Sequence, residues 1–336
     1  MKIDLLNLEP QKINRSLKGK YIFAYGQEKI GKTTLISSFP RSLILSFEPG
    51  ANALDGVFVQ QIDSWADFKI AIKQLQNSKV KDRYDFIGID TVDVAYELCE
   101  EYICQQNMVE NIKDIPWGQG HAMLKKEFGK AFRTIAKAGY GLIFISHAAE
   151  QTNKDYRGEE YAKIIPAAPN KARDIVNKLV DFIIYVGMEY DDEHPEGIRK
   201  MYMKGTKYIT AGSRFPNVPE KTNFGYEELK DAVLNAIDSQ MKGKENLITD
   251  ENNSFYGTER EDIPFDELME ECKTLWYDIL DTANGNEEEE SKLLDKMEAI
   301  IVESFGSSIK LSEVSERQKN LVKLVVSDLK DLKEKL

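Results

Sequence analysis

Gly26-Gln27-Glu28-Lys29-Ile30-Gly31-Lys32-Thr33, with Thr34 behind it, is the stretch that decides how this chain folds. The spacing is GxxxxGK followed by threonine. The apolar run Tyr21–Tyr25 precedes it and a helix-forming run, Thr33–Ser38, follows. Strand, glycine-bounded loop and helix in that order turn successive backbone N–H groups toward one point, where they cradle an anion such as the phosphates of ATP. In this pattern Lys32 reaches the β- and γ-phosphates, Thr33 offers its hydroxyl to Mg²⁺, and Gly26 through Thr34 supply the cradle. Average residue frequencies produce such an octet by chance in roughly one chain in a hundred of this length, so its place between a strand and a helix is what makes it specific.

Outward from the loop, short apolar runs alternate with helical patterns. Tyr21–Tyr25, Leu43–Phe47, Val57–Ile62, Phe86–Asp90, Leu142–Ser146, Phe182–Val186 and Lys200–Met203 read as strands. Thr33–Ser38, Ser64–Leu75, Val92–Gln106, His121–Ala138, Lys171–Leu179 and Tyr226–Met241 read as helices. Strand and helix in alternation predict an α/β fold whose mostly parallel sheet is covered by helices on both faces. After that the composition shifts. Residues 241–263 are polar, with Asn252, Asn253 and Ser254 in a row, and read as a linker. Apolar residues then recur at helical spacing: Phe265, Leu268, Cys272, Leu275, Trp276 and Ile279; Leu293, Met297, Ile300 and Ile301; Leu321, Leu324, Val325, Leu329 and Leu332. Two domains and a linker follow: a nucleotide-binding domain over 1–240, the linker over 241–263, and a small helical bundle over 264–336. The Glu287–Glu290 run reads as a solvated turn.

The 336 residues are 42% apolar, enough for one sizeable core and an appendage. There is no 18-residue apolar run and charge interrupts every apolar stretch of the first eleven residues, so the expectation is a soluble protein of the cytoplasm, away from membranes. Cys99, Cys104 and Cys272 lack a paired spacing, which predicts reduced thiols and no structural zinc. Net charge is −12, yet residues 1–230 hold 32 Lys and Arg against 31 Asp and Glu, whereas 231–336 hold 13 against 26. The acidity belongs to the tail, and a near-neutral core leaves room for a local basic patch that meets a polyanion.

Further site residues stand at strand ends, where open parallel sheets bind their ligands. Asp90 ends Phe86-Ile87-Gly88-Ile89 and is placed to hold Mg²⁺ or its water, or else to cap the next helix. Asp93 reads as a capping or turn residue and Asp85 as solvated. Glu48 ends Leu43–Phe47 before Pro49-Gly50, a position for a general base that orients the attacking water, or for an ordinary loop acid. His147 ends Leu142–Ser146, where it either touches the γ-phosphate and reports it to the next loop or is a hydrogen-bonded strand-end residue.

These segments carry a resemblance. The order of loop, strand-end glutamate, aspartate-ended strand and strand-end polar residue resembles the RecA-type ATPase core. Leu17-Lys18-Gly19-Lys20, Tyr84 to Asp93, Gly141 to His147, Lys171-Ala172-Arg173-Asp174 and Val180-Asp181-Phe182 resemble phage-encoded RecA/RadA-like ATPases associated with recombination and single-strand annealing, over residues 10–230. The resemblance implies ATP hydrolysis coupled to single-stranded DNA, with Lys32, Glu48 and His147 catalytic and Thr33 and Asp90 at the metal. It also implies a ring or filament of identical subunits. RecA itself carries glutamine where His147 stands.

For DNA, the segment Ala148–Arg173 is expected as a loop in which Lys154, Arg157 and Lys163, with Lys171 and Arg173, contact the backbone while Tyr156 and Tyr161 stack on bases; a merely solvated loop is the other reading. Lys207 or Arg214 either reaches a neighbouring subunit's ATP or is solvated surface. Glu261-Asp262-Ile263-Pro264-Phe265 resembles the acidic tip of single-stranded-DNA-binding proteins but is internal, so Phe265 reads as core. The tail is a candidate surface for such a protein or another replication protein. Two other function classes fit the loop: a small-molecule P-loop kinase, and a nucleotide switch that recruits replication proteins.

Overall fold

Strand Tyr21–Gly26 is buried at every residue, because it lies in the middle of a sheet with helices on both sides. The computed structural model describes residue 6, residues 10–48, 54–249 and 263–336. They fall into two compact units, one ending at Thr249 and the other comprising 263–336.

The strands of the first unit are β1 (Ile13–Asn14), β2 (Tyr21–Gly26), β3 (Ser42–Ser46), β4 (Phe58–Gln61), β5 (Phe86–Asp90), β6 (Gly141–Lys154), β7 (Glu160–Pro166), β8 (Phe182–Glu189), β9 (Ile198–Tyr202), β10 (Gly212–Ser213), β11 (Lys221–Asn223) and β12 (Ile248–Thr249). Its helices are α1 (Lys32–Ser37), α2 (Trp65–Leu75), α3 (Ser78–Lys81), α4 (Val92–Gln106), α5 (Gln119–Lys137), α6 (Asn170–Leu179) and α7 (Tyr226–Met241). The large sheet runs β11-β9-β8-β2-β6-β5-β3-β4. From β8 to β4 all neighbours are parallel. The rest is antiparallel: β9 on β8, β11 on β9, β10 on β8 and β7 on β6. The sheet is therefore mixed, parallel at the centre where connections pass through helices, and antiparallel at the rim where short turns suffice.

Side chains of β2 alternate between two apolar layers, as the pleat requires. Tyr21 and Phe23 join Trp65, Phe68, Phe128, Phe132 and Val176 from α2, α5 and α6, while Ile22 and Ala24 join Leu35, Ile36, Leu229 and Val233 from α1 and α7. α1 presses closely on β5: a Cβ on Gly88 would lie 2.5 Å from Ile36 Cγ2, so this position admits only glycine without displacement.

Several expectations need correction. β6 continues eight residues past Ser146 to Lys154 and pairs in register with β7 from Ala148↔Pro166 to Lys154↔Glu160, so a hairpin and the start of α6 replace the expected loop Ala148–Arg173. The reason is local: the Asp155 side chain accepts from the N–H groups of Arg157 and Glu159 and folds Asp155–Gly158 into a tight turn, which sets the register of two strands with little apolar alternation of their own. Asp85 is no solvated acid; it pairs with Lys18 at 2.7 Å and Arg41 at 3.5 Å. The first part of the linker is structured as well, since β12 pairs in parallel with β1 (Ile13↔Ile248, Asn14↔Thr249). Residues 250–262, the remainder of that linker, lie outside the described residues, as does Pro49-Gly50.

The second unit holds α8 (Phe265–Asp281), α9 (Glu287–Phe305) and α10 (Lys319–Glu334). Leu268, Cys272, Ile279, Met297, Val322, Val325 and Leu329 form its core. Glu287–Glu290 is not a turn but the first turn of α9, where Asn286 accepts from the Glu288 and Glu289 N–H groups and four carboxylates meet the positive end of the helix. Among the described residues no helix is long and apolar enough to cross a membrane.

Candidate functional site

The sheet order brings the expected residues together. β2 has β6 and then β5 and β3 on one side, so the carboxyl ends of these strands deliver Gly26, His147, Asp90 and Glu48 to one edge. Gly26 and His147 are register partners, as are Ser46 and Asp90.

Between Gly26 and α1 the chain turns back, with Gly31 at φ +100°, a conformation that favours glycine. Lys32 begins α1 and is buried; its Nζ arches back and donates to the Gly26 carbonyl at 3.0 Å and the Gln27 carbonyl at 2.7 Å. Burial holds its pKa below the ordinary lysine value, against the opposing pull of Asp90, Asp93, Glu48 and Glu28. Thr33 Oγ1 donates to Asp90 Oδ2 at 2.7 Å. Asp90 is buried, which raises its pKa, and the Thr33 hydrogen bond works against the rise. Ile30 contributes only backbone, its side chain being in the core.

Glu48 and His147 are joined. Thr91 Oγ1 donates to Glu48 Oε1 at 2.5 Å, and His147 Nε2 lies 3.4 Å from Glu48 Oε2. Asp93 fixes the other side of the histidine. Its Oδ2 accepts from the His147 N–H at 3.0 Å and its Oδ1 from the Ser146 hydroxyl at 2.7 Å, while Ser146 Oγ accepts from Ala168 N–H at 3.2 Å. Asp93 thus anchors the strand end as well as standing in the first turn of α4. Burial raises its pKa, with the His147 and Ser146 hydrogen bonds opposing.

Glu28, Lys32, Thr33, Glu48, Asp90 and His147 line a single cavity of about 430 Å³, within the range of small-molecule sites. Its chemistry suits a magnesium nucleotide. The Lys32 ammonium rests on carbonyls of its own loop, a pose that phosphate oxygens can replace, and the Thr33 hydroxyl and Asp90 carboxylate face one another as a hard-cation oxygen pair.

A family model described as AAA domain matches residues 18–215. The chain belongs to this AAA domain family. The SPbeta prophage-derived uncharacterized protein YorG of Bacillus subtilis (strain 168) is 30% identical to it over 342 residues, which cover 99% of each chain. Membership makes the protein a P-loop ATPase, a class that binds nucleotide usually together with Mg²⁺.

The residues nominated for DNA stand elsewhere in the AAA domain. Lys154 and Arg157 lie at the far end of the β6–β7 hairpin; Lys154 pairs with Glu160 at 3.3 Å and the Arg157 guanidinium lies 5.2 Å from the centre of the Tyr156 ring. Lys163, on β7, lines a separate cavity of about 460 Å³ with Gln151, Asn170 and Arg173. The proposed trans-acting cations are engaged within their own chain. Lys207 pairs with Asp155 at 3.3 Å and covers the Tyr161 ring, and Arg214 pairs with Asp181 at 3.1 Å and donates to the Lys178 carbonyl.

Sequence reasoning missed two contributors. Thr91 directly follows Asp90, and an hydroxyl beside a strand-end acid is the signal that marks it. Arg199 reaches the loop from β9, with its Nη1 donating to the Ile30 carbonyl at 3.4 Å; nothing in the sequence links it to a loop 169 residues away.

Proposed function

We propose that this AAA domain protein is a phage-encoded, RecA-like ATPase that acts on single-stranded DNA in recombination, annealing or replication. The observation that carries this reading is one continuous strand: β6 passes from the cavity at His147 directly into the hairpin that bears Lys154, Arg157, Lys163 and the exposed Tyr156. Such a hairpin combines cations for phosphates with a ring for base stacking. Two of its four acids are paired, Glu160 with Lys154 and Asp155 with Lys207. The prophage origin of the relative supports a phage setting, and with it the cytoplasm of a host cell.

In this reading the loop amides and Lys32 would bind the triphosphate, and Thr33 with Asp90 would hold Mg²⁺, which would supply positive charge against the phosphates. Glu48 orients the attacking water and takes its proton. His147 contacts the terminal phosphate and passes its presence along β6 to the hairpin. Assembly into a ring or filament, and recruitment of a single-stranded-DNA-binding or other replication protein by residues 264–336, belong to the same proposal.

The test is phosphate release with and without single-stranded DNA, which should accelerate turnover. Replacing Lys154, Arg157 and Lys163 together with alanine should leave basal hydrolysis unchanged, weaken DNA binding, and reduce the slope of log affinity against log salt by about 2. A wild type indifferent to DNA, or a triple variant that binds it equally well across a salt series, sinks the proposal.

A further inference from the structure

Asp90, Glu48 and His147 come from β5, β3 and β6, all on one side of β2, and in the proposed reading they mark the end of the cavity that takes the terminal phosphate. A triphosphate laid along Glu28–Thr34 with that end at Thr33 and Asp90 leaves its nucleoside at the opposite flank. That flank is built by β8 and β9. There the Arg199 guanidinium lies 4.5 Å from the centre of the Phe224 ring, and the Phe224 N–H donates to the Arg199 carbonyl at 3.2 Å. Both side chains touch the loop. A Cβ on Gly31 would stand 2.5 Å from Arg199 Nη1 and 3.3 Å from the Phe224 ring edge. Gly31 is thus favoured by its backbone conformation, and these two residues lie directly over it.

We propose that Arg199 and Phe224, stacked on one another beside Gly31, form the ledge on which the purine base of the nucleotide lies. The guanidinium is planar, and its exposed position on β9 leaves it accessible to a second flat partner. A base is held there by stacking and cation–π attraction, which every nucleobase offers and a phosphate does not. The inference rests on the nucleotide reading of the loop and adds the place of the base to it.

The experiment measures binding of the full-length protein to Mg-ATP and to Mg-tripolyphosphate, which has the phosphates without the base. Arg199→Ala should weaken ATP by roughly 5- to 150-fold more than it weakens tripolyphosphate, the range of one stacked base. Arg199→Lys keeps the charge but loses the plane, and should likewise weaken ATP alone. Retained tripolyphosphate binding also shows that the loop of each variant is folded. An equal fall for both ligands means Arg199 serves the phosphates or props the loop, and no fall for ATP means the base lies elsewhere; either overturns the ledge. Lys32→Ala, expected to lose both ligands, checks the underlying reading separately. A wild type that binds neither ligand overturns that reading and the ledge with it.

Discussion

Glu48 is held at both carboxylate oxygens, by the Thr91 hydroxyl at 2.5 Å and the His147 ring at 3.4 Å, so its orientation is set before any water arrives. On the proposed role, in which Glu48 orients water and does not cradle phosphate, Glu48→Gln should keep ATP affinity while turnover falls by about 10²- to 10⁴-fold. Equilibrium binding and single-turnover hydrolysis separate the two, and an equal loss of both would instead make Glu48 a scaffold residue. The sequence marked Glu48 by its place at a strand end. It could not pair Thr91 with Glu48 or Asp93 with His147, because a hydrogen bond across 43 or 54 residues depends on strand order. The burial of Lys20 was likewise invisible. This lysine donates to the Asn14 carbonyl at 2.7 Å and faces the Phe215 ring, and burial lowers its pKa from 10.5 to about 8, with Asp181 opposing. Between those values the unfolded chain keeps a proton that the folded chain has lost, so stability attributable to Lys20 rises with pH across that window. Below about pH 8 its buried charge is a cost. Compared with Lys20→Met, the wild type should gain stability as pH climbs from about 8 to 10.5, by an amount on the order of 3 kcal/mol. Denaturant midpoints at several pH values read this directly, and parallel curves would show that Lys20 stays charged in the fold.

At the scale of elements, periodicity was a good guide wherever an apolar face meets the sheet. α4 and α7 run over Val92–Gln106 and Tyr226–Met241, and β5 over Phe86–Asp90, with the bounds the pattern predicts. It failed where pairing, not burial, makes the strand: the hairpin residues Ala148–Lys154 are mostly intermediate or exposed, so no alternation betrays them. The same limit hid β12, two residues long. Gly88 has a further consequence. An alanine there must displace Ile36 or push α1 away from β5, so Gly88→Ala should destabilise by about 1–3 kcal/mol, the usual cost of overpacking a core. It should also weaken nucleotide binding, since α1 carries Lys32 and Thr33. Thermal denaturation and ATP titration check both, and an unchanged midpoint would mean that α1 moves freely against the sheet.

For the whole molecule, the helices of 263–336 close their own core, and the first unit ends on the β1–β12 pairing. A fragment ending at Thr249 should therefore fold and bind ATP like the intact chain, as circular dichroism and titration can establish; a molten or insoluble fragment would tie the last three helices to the fold of the first unit. The expected linker 241–263 begins inside the fold, since Ile248 and Thr249 pair with β1 and are too few to read as a strand. The unbroken course of β6 has a mechanical side. Seven residues beyond His147, at about 3.3 Å each, make a beam of about 23 Å whose root is pinned by Asp93 through His147 and Ser146, and through Ser146 to Ala168 just past the end of β7. A beam clamped at one end turns a tilt at its root into travel at its tip, about 4 Å for each 10° over that length. A tilt of about 10° at His147 would thus carry the hairpin tip, with Tyr156 and Arg157, by about the spacing between stacked bases.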